Sequence, residues 1–164
     1  MNILYLHGLD SKLRSQKREI LERFGKVYAP DLDYYTDQNA IESIMEKYTE
    51  VEINVVIGSS MGGFAAYHVS NLLHRPSLLF NPALARGSVV QHIPQKEGMY
   101  NNLKQIVIGQ RDDVVNPAET LEFLSGNFHP VTDLHVHLVP RLGHRIPEQL
   151  FEEEVKTFFG RLCY

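Results

Sequence analysis

Residues 53–64 read Ile53-Asn54-Val55-Val56-Ile57-Gly58-Ser59-Ser60-Met61-Gly62-Gly63-Phe64. An apolar, β-branched run over Ile53–Ile57 ends in a glycine, and a helical period carrying Phe64, Ala65, His68 and Leu72 inward begins directly after it. Such a continuous run is expected in the middle of a parallel sheet covered on both faces. The junction has the form G-x-S-x-G with Ser60 at its centre. A serine on a strained strand-to-helix turn needs neighbours two residues away that lack a Cβ, which Gly58 and Gly62 supply. The helix opening at Met61 would point its positive end at any oxyanion formed beside Ser60. Ser59 is off-centre in this frame. The plain alternative is a glycine-rich turn that only packs a helix on a strand.

Outward from this junction, short β-branched runs alternate with helical periods. Ile3–Leu6, Val27–Ala29, Ser77–Phe80, Lys104–Ile108 and Leu134–Val139 read as further strands. Between them, Leu13, Ile20, Leu21 and Phe24 mark a first helix, with Asp10 or Ser11 as N-cap. Ile41, Ile44, Met45 and Tyr48 mark a second. Asn116-Pro117 opens another, which Gly126 ends. A last one starts near Pro147 and buries Phe151, Val155, Phe158 and Phe159. The alternation predicts an α/β fold, a three-layer α/β/α sandwich with a parallel sheet, in a single domain over 1–164. The one long irregular stretch runs from Ala83 to Asn102, a length at which loops are usually functional or mobile.

A serine nucleophile needs a base, and the base an orienting carboxylate. In a sheet of this kind they follow in the order Ser, acid, His, each after a strand. Gly109-Gln110-Arg111-Asp112-Asp113-Val114-Val115 follows the fifth strand, and Leu142-Gly143-His144 follows the sixth. Either aspartate satisfies the order. After the first strand stands His7-Gly8-Leu9. The backbone amides of Leu9 and Met61 are the expected oxyanion donors, Gly8 lets the loop turn tightly, and His7 is expected to brace the loop by hydrogen bonds. His135 and His137 share one face of a strand but lack further ligands at metal spacing, so no metal is expected. Lys12, Arg14, Lys17, Arg18 and Arg23 read as the wet side of the first helix.

Composition bounds the partners. The 164 residues carry a formal charge of -4, which leaves no basic footprint for nucleic acid. The single cysteine, Cys163, permits no intrachain disulfide. No run resembles a signal peptide or a membrane span, so a cytoplasmic chain without membrane partners is expected.

Leu-His-Gly-Leu-Asp-Ser near the start, Ala-Pro-Asp-Leu after the second strand, Gly-Ser-Ser-Met-Gly-Gly, Asn81-Pro82 and Gly143-His144 together resemble the α/β-hydrolase superfamily. Within it, they resemble the short, capless bacterial esterases of the YqiA/YcfP-like kind. The resemblance implies six parallel strands in the order 2-1-3-4-5-6, no cap domain, and esterase or thioesterase activity on small substrates without a cofactor. It gives Ser60, Asp112 and His144 the triad roles, since the family's acid commonly stands three residues after a strand-ending glycine, here Gly109. Two other readings remain: a binding protein on a hydrolase scaffold, and a peptidase, lactonase or C–C hydrolase using the same residues.

Overall fold

A computed structural model describes residues 1–85, 89–95, 102–127 and 129–162. Six strands form one sheet: β1 (Asn2–Leu6), β2 (Lys26–Tyr28), β3 (Val55–Ser59), β4 (Ser77–Phe80), β5 (Lys104–Gly109) and β6 (Leu134–Val139). Every pairing is parallel, in the order β2-β1-β3-β4-β5-β6. Among the described residues four helices connect strands, α1 (Ser15–Glu22), α2 (Ala40–Lys47), α3 (Met61–Leu73) and α4 (Pro117–Asn127), and α5 (Glu148–Leu162) follows the last one. The sheet, its order and its two-sided cover match the sequence reading.

Alternation along each strand divides the core. Leu4, Leu6, Val56, Leu79, Ile106 and Ile108 face α2, α3 and α4. Ile3, Tyr5, Val55, Ile57, Leu78, Phe80 and Val107 face α1 and α5. On that second face Phe80 stacks on Phe151 and Phe24 on Phe159, at 5.0 and 4.3 Å between ring centres. Such pairs add about 0.5–1.5 kcal/mol beyond the area they bury. No helix among the described residues is long and apolar enough to cross a membrane.

Several boundaries move. β3 starts at Val55 rather than Ile53, and just before it the Asn54 amide donates to the Asn2 carbonyl at the sheet entrance. β2 shifts one residue earlier, to Lys26–Tyr28. α1 opens at Ser15, and neither Asp10 nor Ser11 caps it. Ser11 donates to the Gly8 carbonyl and Asp10 accepts from the Tyr35 hydroxyl, so both serve the loop after β1 instead. Leu13 and Phe24 flank this helix and still pack on the core. Gly126 lies inside α4, which continues to Asn127. His68 and Leu72 are half-buried rather than fully inward. Lys17 is half-buried rather than fully wet: its ammonium lies 4.9 Å from the centre of the Phe151 ring, and burial with Arg14 nearby pushes it down to about 8. Cys163 lies outside the described residues.

Candidate active site

All six strands run the same way, so their C-terminal ends share one edge. Register sets the turns there side by side: Leu6 pairs with Gly58, Ser59 with Phe80, and Gly109 with Val139. Among the described residues, four of the five non-glycine positions with positive φ, namely Asp10, Ser60, Asn81 and Arg141, follow strands at this edge. Strain of this kind persists only where surrounding structure holds it.

Ser60 has φ 57° and ψ -122°. The steric argument for its glycine frame holds in detail. A Cβ on Gly58 would come within 2.1 Å of the Gly62 carbonyl oxygen, and one on Gly62 within 2.1 Å of the Leu6 oxygen. Gly63 is a third close approach that the spacing did not reveal, since a Cβ there would meet Pro82 at 2.8 Å. Ser60 stands at the N-cap of α3, yet its hydroxyl makes no cap bond. Its Oγ lies 3.1 Å from His144 Nε2 instead.

His144 Nδ1 lies 2.8 and 3.0 Å from the two carboxylate oxygens of Asp112. A carboxylate can only accept, so Nδ1 carries the proton and Nε2 is left to accept from Ser60. Asp112 is itself held: its Oδ1 accepts from the amides of Val114 and Val115 at 2.8 and 2.9 Å. Its side chain is 1% exposed, against 23% for that of His144. Asp113 is exposed. The structure therefore brings Ser60, His144 and Asp112 into one chain of contacts and leaves Asp113 outside it.

The loop after β1 closes against the serine. A Cβ on Gly8 would fall 3.1 Å from Ser60 Cβ and 3.6 Å from its Oγ, a tight fit in which the serine would have to give by a few tenths of an ångström. His7 is buried; its Nε2 accepts from the Leu32 amide at 2.9 Å and its Nδ1 donates to the Gly8 carbonyl at 2.7 Å. Both ring nitrogens are occupied in bracing the backbone. Among the described residues, the amides of Leu9 and Met61 meet no backbone acceptor. A cavity of about 440 Å³ opens beside this loop, lined among others by Leu9, Asp10, Lys12, Asp31, Asp33 and Tyr35.

The segment after β4 carries neither helix nor strand among its described residues. Arg86, Lys96 and Glu97 lie outside them. Gln91 fastens residues 89–95 to the stretch before α2, donating to the carbonyls of Tyr34 and Asp37 and accepting from Ala40. His135 and His137 each pair with a single carboxylate, of Asp133 and Glu154. No group of three or more metal-ligating side chains occurs among the described residues. The residue that sequence reasoning left without a task is Asn81, whose buried carboxamide joins the loops of Asp112 and His144. Its signal in the sequence was an Asn-Pro pair directly after a fully buried strand.

Solved structures with the same fold are numerous. A monoacylglycerol lipase from Paleococcus ferrophilus superposes with a TM-score of 0.76 at 14% identity, covering 99% of this chain and 94% of its own. An alpha/beta hydrolase enzyme from the metagenome of sediments from the lagoon of Mar Chica, Morocco, gives 0.73 at 15% identity, covering 100% and 92%. The Bacillus cereus carboxylesterase gives 0.65 at 15%, covering 96% and 87%. At such identities the likeness shows a shared fold and nothing finer. Residues 2–105, more than half of the chain, match a family whose description is "Uncharacterised protein family (UPF0227)". The chain thus has the α/β-hydrolase fold and belongs to the UPF0227 family.

Proposed function

We propose that this chain is a serine hydrolase that cleaves carboxylic esters or thioesters of small substrates through an acyl-enzyme. Ser60 attacks the carbonyl carbon while His144 Nε2 takes its proton. The oxyanion so formed accepts from the amides of Leu9 and Met61, where the N-terminus of α3 adds its positive end. Asp112 holds the imidazole with Nδ1 protonated and stabilises the imidazolium. His144 then hands the proton to the departing alcohol or thiol. A water molecule, deprotonated by the same Nε2, attacks the acyl-enzyme and releases the acid. This scheme uses no cofactor, one domain and no cap.

The observation that carries the reading is the imidazole lying between Ser60 Oγ and the Asp112 carboxylate, at 3.1 Å on one side and 2.8 Å on the other. An N-cap serine that makes no cap bond supports it, because a purely structural serine there would be expected to serve the helix. The test is a fluorophosphonate probe on the folded protein, with Ser60→Ala alongside. Labelling of wild type alone supports the hydrolase. Folded wild type that stays unlabelled would turn the reading to a binding protein. A panel of esters, thioesters, lactones and peptides then assigns the bond cleaved.

A further inference from the structure

β6 ends at Val139 and α5 begins at Glu148, so His144 hangs in a loop with no regular element to fix it. Arg141 in that loop has a positive φ of 63°, and the loop's one backbone tie to the Asp112 turn runs from the Arg111 amide to the Leu142 carbonyl, at 2.9 Å. Leu142 and Ile146 anchor it in the core on either side of His144, and a side chain from just beyond β4 ties its backbone. Asn81 donates from Nδ2 to the carbonyls of Gly143 and His144, at 3.0 and 2.9 Å. Its Oδ1 accepts from the Gly109 amide at 2.7 Å, where the turn toward Asp112 departs. One carboxamide therefore spends both hydrogens on the base's loop and its oxygen on the acid's loop.

The chain on both sides of Asn81 is bound to the serine. The Phe80 carbonyl accepts from the Ser60 amide at 2.9 Å, and the Ala83 amide donates to the Ser60 carbonyl at 3.1 Å. Asn81 itself is 2% exposed and has φ 41°, a left-handed conformation that asparagine tolerates better than most residues. An aspartate of the same shape could accept from Gly109 but could not donate to the two carbonyls.

We propose that Asn81 is a positioning residue for hydrolysis: its carboxamide sets the spacing between the loops of Asp112 and His144, and so the approach of His144 to Ser60. The inference rests on the serine-hydrolase reading above. A misplacement near 1 Å in a reacting constellation costs about a hundred-fold in rate. A residue that merely satisfied buried carbonyls would affect thermal stability and leave turnover of the folded enzyme alone.

The experiment uses Asn81→Gly, which keeps the left-handed backbone and removes all three bonds, and Asn81→Asp, which keeps the volume and removes the donors. Each is compared with wild type in turnover of a small activated ester, well below its melting temperature. The proton between His144 Nδ1 and Asp112 is followed as a downfield resonance in proton NMR. The expected result is kcat lower by about a hundred-fold with KM within about two-fold, and a resonance lost or shifted in both variants. Folded variants with wild-type kcat and an unmoved resonance overturn the proposal. If Asn81→Gly fails to fold, Asn81→Asp carries the same comparison. If wild type is neither labelled by fluorophosphonate nor active, the hydrolase reading is what has failed. The resonance then judges Asn81 separately, and no change in it overturns the positioning role.

Discussion

The two ends of the sheet both bury polar side chains, and they treat them in opposite ways. At the C-terminal edge each buried polar group has its partners: Asp112 accepts from two amides and His144, His7 uses both ring nitrogens, and Asn81 uses its whole carboxamide. At the N-terminal edge, β5 begins with Lys104, which is 3% exposed and has no ion-pair partner among the described residues. Its ammonium donates to Ser70 at 3.0 Å and lies 5.0 Å from the centre of the Tyr67 ring. Around that edge Asn71 Oδ1, Ser77 Oγ and Asn102 Oδ1 are buried without a hydrogen-bond partner among the described residues. A fully satisfied polar cluster holds one geometry, whereas a partly satisfied one costs stability. The contrast marks the first edge as the one where position matters for chemistry.

The sharpest break of this contrast is Ser60→Ala. Loss of the nucleophile should lower ester turnover by about a million-fold while circular dichroism stays unchanged, because the hydroxyl serves no cap. Ser59→Ala should keep most activity, and a dead Ser59 variant beside a live Ser60 variant would overturn the frame. Next comes the acid. Asp112→Asn should cost about four orders of magnitude in turnover, and Asp113→Asn, on an exposed side chain, should cost little. The reverse pattern would transfer the role to Asp113.

The third test goes to the opposite edge. Burial pushes the Lys104 ammonium down to about 7, and burial with Lys104 nearby pushes His68 down to about 4. Both groups therefore bind protons more weakly folded than unfolded. From about pH 4 to 6.5 through His68, and from about pH 7 to 10.5 through Lys104, these two groups make stability rise with pH. Lys104→Met should stabilise by about 1–4 kcal/mol, with the gain in melting temperature larger near pH 6 than near pH 9. A lower melting temperature at the acid end would show that the buried ammonium is a favourable contact. Catalytic constants should stay near wild type, since this edge lies away from Ser60. The smallest effect concerns the cavity beside Leu9. With Asp10, Lys12, Asp31 and Asp33 in its lining, it should favour short acyl chains over twelve-carbon ones by about ten-fold. Faster turnover of the long esters would break that expectation.

Much of the C-terminal edge was legible because its demands are local. A serine between two glycines after a buried strand, an Asp-Asp pair after the next-but-one strand, and Gly143-His144 after the last each declare themselves within a few residues. Asn81 was not legible in the same way. Its three partners stand 28, 62 and 63 residues away, and nothing in the Asn-Pro pair says which carbonyls it will reach. The start of α1 was misread because Asp10 and Ser11 have good capping chemistry, but the loop after β1 needed them first.

The sequence by itself determined the alternating elements, the faces of the sheet and the strand ends where chemistry would collect, since periodicity and turn residues act over one element at a time. The family frame after Gly109 named Asp112, but only the tertiary structure showed it against His144, showed the Ser60 hydroxyl leaving its helix for an imidazole, and showed one carboxamide tying two loops together. Those outcomes depend on parallel register, which brings residues distant in the chain within hydrogen-bond reach of one another. Local propensity carries no information about which of several equivalent groups will be nearest.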